Sequence, residues 1–415
     1  MTLGPHGTAE SSGGGNNTVQ PFRVLAVADS DSYLKFACAT LESLGEGWEC
    51  EVLLVRSPIL PTLEQIQAAT AGTFLAGKMP RVIPASGLRT ALAGADVVLA
   101  SATGPVVEEV FTQASRMPHR PALLSALPGV AFPATRKALN YRALGDAFIT
   151  HSHAECRAFN DLADAMRLPQ RILVSRLPFL ASPGRPEPQR VPLRSVVFAP
   201  QAKVPVERDQ RVAILQALAA LARRRPELSV RVKLRAWAGE PQTHLEQYPF
   251  DQLWSDLVAA RAVGGHELQF CTGPMSAQLT PAAAMVTVSS TAALEALDAG
   301  LPALILDDFG LSEQMLNKVF DGSGLVGNLE DLVAGRFRHP DPRWLRDNYF
   351  HARTVPLDDL LVNFAERARA GKLATDPERL AAVQRRKMRS KLRTVLPSPA
   401  LKLVRRLRNA RRLPA

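Results

Sequence analysis

The stretch from Val286 to Gly310, VTVSSTAALEALDAGLPALILDDFG, constrains the fold more than any other part of the chain. Val286-Thr287-Val288 is short and rich in β-branched residues, and it reads as a buried strand. Ser289, Ser290 and Thr291 are ready N-caps for Ala292 to Ala299, a run of strong helix formers. Gly300 stops that helix, Pro302 prevents its resumption, and Ala303 to Leu306 reads as the next buried strand. Strand, polar turn, helix and strand in this order form one unit of a parallel α/β sheet.

Such a turn points backbone N–H groups out of the helix start with the positive end of the macrodipole behind them, and phosphate is the usual guest. Glu295, one turn after Thr291, can face the same ligand and accept hydrogen bonds from vicinal hydroxyls such as those of a ribose. The alternative is that the serines only cap a helix and Glu295 is solvated. The glutamate offset, the Gly-x-Pro stop and the two flanking strands together favour the ligand.

This segment resembles the nucleotide-sugar site in the C-terminal half of GT-B glycosyltransferases, especially those for bacterial capsule, sialic acid, Kdo and polyglycerol phosphate chains. There a Ser-Ser or Ser-Thr turn, a helical Glu and a Gly-x-Pro stop follow one another as they do here. A second constellation lies in VKLRAWAGEPQTHLEQYPFDQLW, where Lys233 and Arg235 share one face of a strand by its period of two. The loop after it carries Glu240, Thr243, His244 and Glu246. This run resembles a signature of cell-surface polysaccharide transferases of GC-rich bacteria. In related sialyl and glycerol phosphate transferases a His-Pro pair contacts the donor phosphate at this place, whereas no proline follows His244.

A chain of 415 residues exceeds what one core usually supports, so two domains are expected. The readings are a disordered leader over 1–20, an acceptor domain over 21–182, a linker over 183–192, a nucleotide-sugar domain over 193–375 and a basic tail over 376–415. Four prolines in ASPGRPEPQRVP mark the linker. The N-terminus has no basic region followed by an apolar run, and nowhere does an apolar stretch reach about twenty residues, so a cytoplasmic location is expected. Cys38, Cys50, Cys156 and Cys271 have no metal-like spacing, and neither disulfides nor a structural metal are expected.

The net charge of +11 is located in the tail: without the twelve Lys and Arg between Arg385 and Ala415, 38 bases face 39 acids. That distribution speaks against nucleic acid, which needs charge on a folded face. Leu401, Val404 and Leu407 fall on one helical face amid arginines, a pattern suited to an anionic membrane surface. A basic tail without structure is the alternative.

Arg23 to Asp29 reads as the first strand and Ser32 to Leu44 as the first helix. Further strands are expected at Glu51–Val55, Asp96–Ala100, Ala122–Ser125, Ala147–Thr150, Ile172–Ser175, Ser195–Ala199, Val230–Leu234 and Glu267–Cys271, and a helix at Ser312–Phe320. Asp29, Asp31, Tyr33 and Lys35 come directly off the first strand, where α/β proteins place ligands, and are candidate acceptor-side or base residues; Asp29 and Asp31 are equally suited to capping. His153 is a candidate acid or base, and Gln201 and Lys203 end a strand where they can hold a phosphate.

The expectation is an α/β protein of GT-B type, two Rossmann-like domains facing a cleft, that moves a sugar from a nucleotide-activated donor to a glycan or lipid-linked acceptor. Lys203, Arg235, His244 and the turn at Ser289–Thr291 would stabilise the leaving nucleotide, and a first-domain carboxylate or histidine would take the acceptor proton. No cofactor or metal is required by that scheme. A nucleotide-sugar epimerase and a non-catalytic binding protein are the alternatives.

Overall fold

The computed structural model describes residues 20–180, 186–240, 246–352 and 356–395, with side chains of the last helix described to residue 388. The first sheet holds β1 (Phe22–Ala28), β2 (Trp48–Val55), β3 (Arg81–Ile83), β4 (Val97–Ala100), β5 (Ala122–Ala126), β6 (Ala147–Thr150) and β7 (Arg171–Val174). The second holds β8 (Ser195–Phe198), β9 (Ser229–Lys233), β10 (Gln269–Cys271), β11 (Ala283–Thr287), β12 (Ala303–Leu306) and β13 (Val326–Gly327). Every named pairing is parallel, in the orders β3-β2-β1-β4-β5-β6-β7 and β10-β9-β8-β11-β12-β13. Strands such as β4, β5, β11 and β12 are buried along their whole length because helices cover both faces, which is why they read as unbroken apolar runs.

Both sheets reverse strand order beside their first strand, at β1/β4 and at β8/β11. Crevices open at the carboxyl ends of strands at such reversals, and the two crevices face one cleft.

The sequence reading missed β3 and β13. These edge strands have three and two residues, and only Ile83 among them is buried, so neither carries an apolar run. The helix expected over Ser312–Phe320 is a set of turns ending in a single 3₁₀ turn at Lys318–Phe320. Asn317 holds this segment in place of a helix: its side chain donates to Gly310 O at 3.0 Å and accepts from Ser312 N at 2.9 Å.

The sequence reading ran the second domain to residue 375 and read Trp344 to Phe350 with the later helical residues as the segment that crosses back to the first; the chain returns there. Tyr349 donates to Glu155 Oε1 at 2.6 Å, and the helix Leu357–Arg369 packs on β4 and β5 of the first sheet. Trp48 donates to Asp358, Arg369 clasps Asp96 at 2.8 Å, and its guanidinium lies 4.2 Å from the centre of the Phe22 ring. The helix Pro377–Val395 then docks Arg386 and Lys387 on Glu108 and Glu109. This segment reads as basic and solvated because its partners lie more than 250 residues earlier. The leader to residue 19 and the tail beyond 395, with Leu401, Val404 and Leu407, lie outside the described residues.

Candidate active site

The interlobe cleft encloses about 1280 Å³, enough for a ligand larger than a single nucleotide. Its floor on the second lobe is the turn between β11 and the helix Ala292–Asp298. Thr287 builds that turn: its Oγ1 donates to Ala199 O at 2.7 Å and accepts from Ser289 N at 3.2 Å and Ser290 N at 3.0 Å. The helix lasts only seven residues, and Gly300 closes it at φ +72° with Leu301 N bonded to Ala296 O at 2.9 Å. A Cβ on Gly300 would also sit 2.1 Å from Glu187 O, so glycine is required there for space as well as for conformation.

The structure divides the three hydroxyls of this turn. Ser290 and Thr291 line the cleft, while Ser289 is buried and its Oγ donates to Leu316 O at 2.7 Å. The amides expected to point at a ligand are mostly engaged locally: Ala292 N bonds Ser290 Oγ at 3.2 Å and Ala293 N bonds Ser290 O at 3.1 Å. Binding capacity here therefore rests less on free amides than on the side chains around them.

Those side chains are charged. Glu295 lines the cleft and accepts from Lys35 of the first lobe at 3.1 Å through each carboxylate oxygen. Arg235, also lining the cleft, donates to Asp31 Oδ2 at 3.0 Å and to Ser32 Oγ. Lys233 stands between these pairs with no carboxylate in ion-pair distance among the described residues. Burial pushes its ammonium below the usual lysine range, and the neighbouring Arg235 adds to this. Three cations and two carboxylates from both lobes thus converge at the strand ends, leaving excess positive charge where an anion can sit. Gly129 of the first lobe closes against Thr291 so tightly that a Cβ would lie 2.5 Å from Thr291 Oγ1.

Other expected site residues are placed differently. Asp29 is fully buried and accepts from Thr103 N at 3.0 Å and from Thr103 Oγ1, so it fixes the start of the helix Gly104–Ala114 instead of facing the cleft. Burial pushes its carboxyl above the usual aspartate range despite those bonds. His153 packs its ring 4.7 Å from that of His351 and is not among the residues lining the cleft. Gln201 lines the cleft, whereas Lys203 is exposed and does not. Glu240 lines it as well, with its carboxylate accepting from Trp237 N at 2.8 Å. Thr243 and His244 lie outside the described residues.

Sequence reasoning missed Arg211. Lying on the helix Arg208–Arg224 among apolar neighbours, it is buried and donates to Pro205 O at 2.8 Å, Ala202 O at 2.8 Å, Gln201 O at 3.2 Å, Tyr248 O at 3.0 Å and the Glu246 carboxylate. It ties together the two loops that carry Gln201 and Glu246 to the cleft. An arginine at a position expected to be apolar by helical period was the available signal.

Two Rossmann-like domains whose strand-order reversals face a shared, charged cleft define an α/β protein of GT-B fold. The chain belongs to the family described as "Putative glycosyltransferase (DUF6716)", which it matches over residues 24–366. No curated protein matches the sequence. In fold it is similar to MnaA of S. aureus in its structure with UDP, with a TM-score of 0.53 and 10% identity over 86% of this chain and 99% of that one. It is also similar to UDP-GlcNAc 2-epimerase from Neisseria meningitidis bound to UDP-GlcNAc, with a TM-score of 0.51 and 10% identity over 84% of this chain and 100% of that one. The UDP-GlcNAc 2-epimerase from Methanocaldococcus jannaschii gives a TM-score of 0.52 and 9% identity over 83% of this chain and 100% of that one. At these identities the likeness concerns the fold.

Proposed function

We propose that the cleft transfers a glycosyl group from a nucleotide sugar to an acceptor hydroxyl. The observation that carries this reading is the convergence of Lys233, Arg235, Ser290, Thr291 and Glu295 of the second lobe with Asp31 and Lys35 of the first in one cleft. Lys233, Arg235 and the two hydroxyls hold the donor phosphates, and Glu295 accepts from the ribose diol. In the reaction the acceptor oxygen bonds to the anomeric carbon, the bond from that carbon to the phosphate oxygen breaks, and the electron pair leaves with the nucleotide. The cations stabilise the charge that develops on the leaving phosphate, so the scheme requires no metal. Asp31, the first-lobe carboxylate nearest these groups, takes the acceptor proton.

Structural neighbours solved with UDP and UDP-GlcNAc make uridine nucleotides the first donors to test. The same neighbours motivate a second reading, epimerisation, which needs no acceptor. Thermal shift of the purified full chain against UDP, CDP, GDP and CMP identifies the nucleotide, because a ligand that binds only the folded state raises the melting temperature. Nucleotide release that depends on added acceptor supports transfer. Conversion of the sugar nucleotide without acceptor supports epimerisation, and no shift with any nucleotide overturns both.

Among the described residues no helix is long and apolar enough to cross a membrane. We place the protein in the cytoplasm, at the inner face of the membrane, with the basic C-terminus attracted to anionic lipid and a glycan or lipid-linked acceptor presented there. From Arg385 onward there are twelve Lys and Arg and no acid; with Arg386 and Lys387 taken up by Glu108 and Glu109, the remaining ten support this placement.

A further inference from the structure

The cleft continues well beyond the charged centre. Helix α1 (Asp31–Glu42) starts at that centre, and Asp31, Lys35, Ala39, Glu42 and Ser43 all line the cleft. These positions are spaced i, i+4, i+8 and i+11 to i+12, which is a single stripe along one helical face. A helix of 12 residues is about 18 Å long, so the cleft follows α1 from one end to the other. Helix α2 (Leu63–Thr70) forms the second wall with Glu64, Gln65 and Ala68, and the second-lobe segment Thr272–Ser276 also lines it.

The chemistry changes along this groove. Among the described residues the cations that line the cleft are Lys35, on the first turns of α1, and Lys233 and Arg235 at the end of β9, all at the charged centre. The distal arm is lined by the small residues Ala39, Ala68 and Ala69 and by Glu42, Glu64, Gln65 and Ser43. Glu42 Oε2 accepts from Phe74 N at 2.6 Å and Gln65 Oε1 from Thr62 N at 3.0 Å, so the groups that face a ligand are the other Glu42 oxygen and the Glu64 carboxylate. Leu63 adds an apolar edge, 57% exposed in the same arm. Carboxylates accept from hydroxyls, an exposed leucine packs on the C–H face of a ring, and Glu42 and Glu64, in no ion pair among the described residues, repel an anionic polymer.

We propose that the α1–α2 groove binds an extended, uncharged, hydroxyl-rich acceptor chain, with its growing end at Asp31. This assignment rests on the glycosyl-transfer reading for the identity of the centre, while the groove itself is tested without turnover. The test titrates the full chain by calorimetry with a panel of uncharged hexasaccharides (gluco-, manno-, galacto- and xylo-configured), the matching disaccharides and hexagalacturonate. At least one uncharged hexasaccharide binds, and hexagalacturonate binds at least tenfold more weakly. Ala39→Trp, which fills the middle of the groove, lowers hexasaccharide affinity at least tenfold and disaccharide affinity less than threefold. Glu64→Lys, at an exposed position that tolerates charge, narrows the gap to hexagalacturonate at least threefold and serves should the tryptophan variant not fold. Failure of every uncharged hexasaccharide to bind, preference of the native chain for hexagalacturonate, or indifference of binding to the folded variants overturns the proposal. Hexasaccharide binding without any nucleotide-induced thermal shift leaves the groove assigned and removes the glycosyl-transfer reading.

Discussion

Arg235 of the second lobe reaches across the cleft to Asp31 of the first, with Nη2 at 3.0 Å from Oδ2. The proposed phosphate ligand and the proposed base therefore share one arginine. Because both partners are partly exposed, the pair is worth about 0–1 kcal/mol, little enough for an arriving phosphate to replace. In the proposed transfer, donor binding withdraws the cation from Asp31 as the acceptor hydroxyl arrives.

This predicts opposite effects on binding and turnover. Asp31→Asn is expected to tighten nucleotide binding up to about fivefold, the equivalent of roughly 1 kcal/mol, by removing the competitor for Arg235. It should also lower kcat by about 10²–10⁴ through loss of the base. Calorimetry with the nucleotide and a single-turnover assay measure the two separately. Weaker nucleotide binding in the variant would contradict the exchange.

Glu295 is bound to Lys35 across the lobes and is assigned to the ribose. A hydrogen bond to a charged group contributes about 1.5–3 kcal/mol, so Glu295→Gln should weaken nucleotide affinity by roughly tenfold to a hundredfold. The variant should affect a ribonucleotide more than the 2′-deoxy form, and comparing the two by titration isolates the diol contact.

Arg211 is buried with every guanidinium nitrogen engaged. Arg211→Met removes a buried donor from the Glu246 carboxylate and from several loop carbonyls. Breaking a buried pair from one side costs about 3–5 kcal/mol, and urea unfolding should show a loss of that order. Replacing Arg211 and Glu246 together should cost less than the sum of the single changes.

The return of the chain to the first lobe should respond to pH. Burial pushes His351 below its ordinary value of 6.5, and the neighbouring His153 and Arg176 add to this. A histidine whose folded pKa lies below its unfolded one contributes fully above 6.5, and the contribution falls as the unfolded chain takes up the proton at lower pH. The stability advantage of the native chain over His351→Gln, followed by thermal unfolding from pH 7.5 to 5, should shrink with acidification. A gap that widens toward acid would show the opposite shift.

The architecture was legible because parallel strands buried on both faces leave unbroken apolar runs, as in Ala303–Leu306 and Ala147–Thr150. The strand before the serine turn was placed late, at Val286–Val288 instead of Ala283–Thr287, since Ala283, Ala284 and Met285 carry no β-branched signal. In the site, Ser290, Thr291 and Glu295 announce themselves by spacing, and Lys233 and Arg235 by the two-residue period of a strand. Asp29 and Asp31 look alike in sequence, yet one is buried under Thr103 and the other faces the cleft. Their distinction comes from the register of β1 against the helix start, which local sequence does not encode. Arg211, Thr287 and the partners of Arg369 and Arg386 were hidden because their meaning lies in residues distant along the chain.

The helix Leu357–Arg369 belongs spatially to the lobe in which the chain began. The polypeptide consequently passes between the lobes twice, once between Leu180 and Ser195 and once between Trp344, which donates to Val319 O, and Tyr349, which donates to Glu155. A body fastened at one point swings in any direction, whereas a body fastened at two turns only about the line joining them. Two fastenings therefore hold Asp31 and Lys35 opposite Arg235 and Glu295 with fewer ways to slip sideways than one would leave.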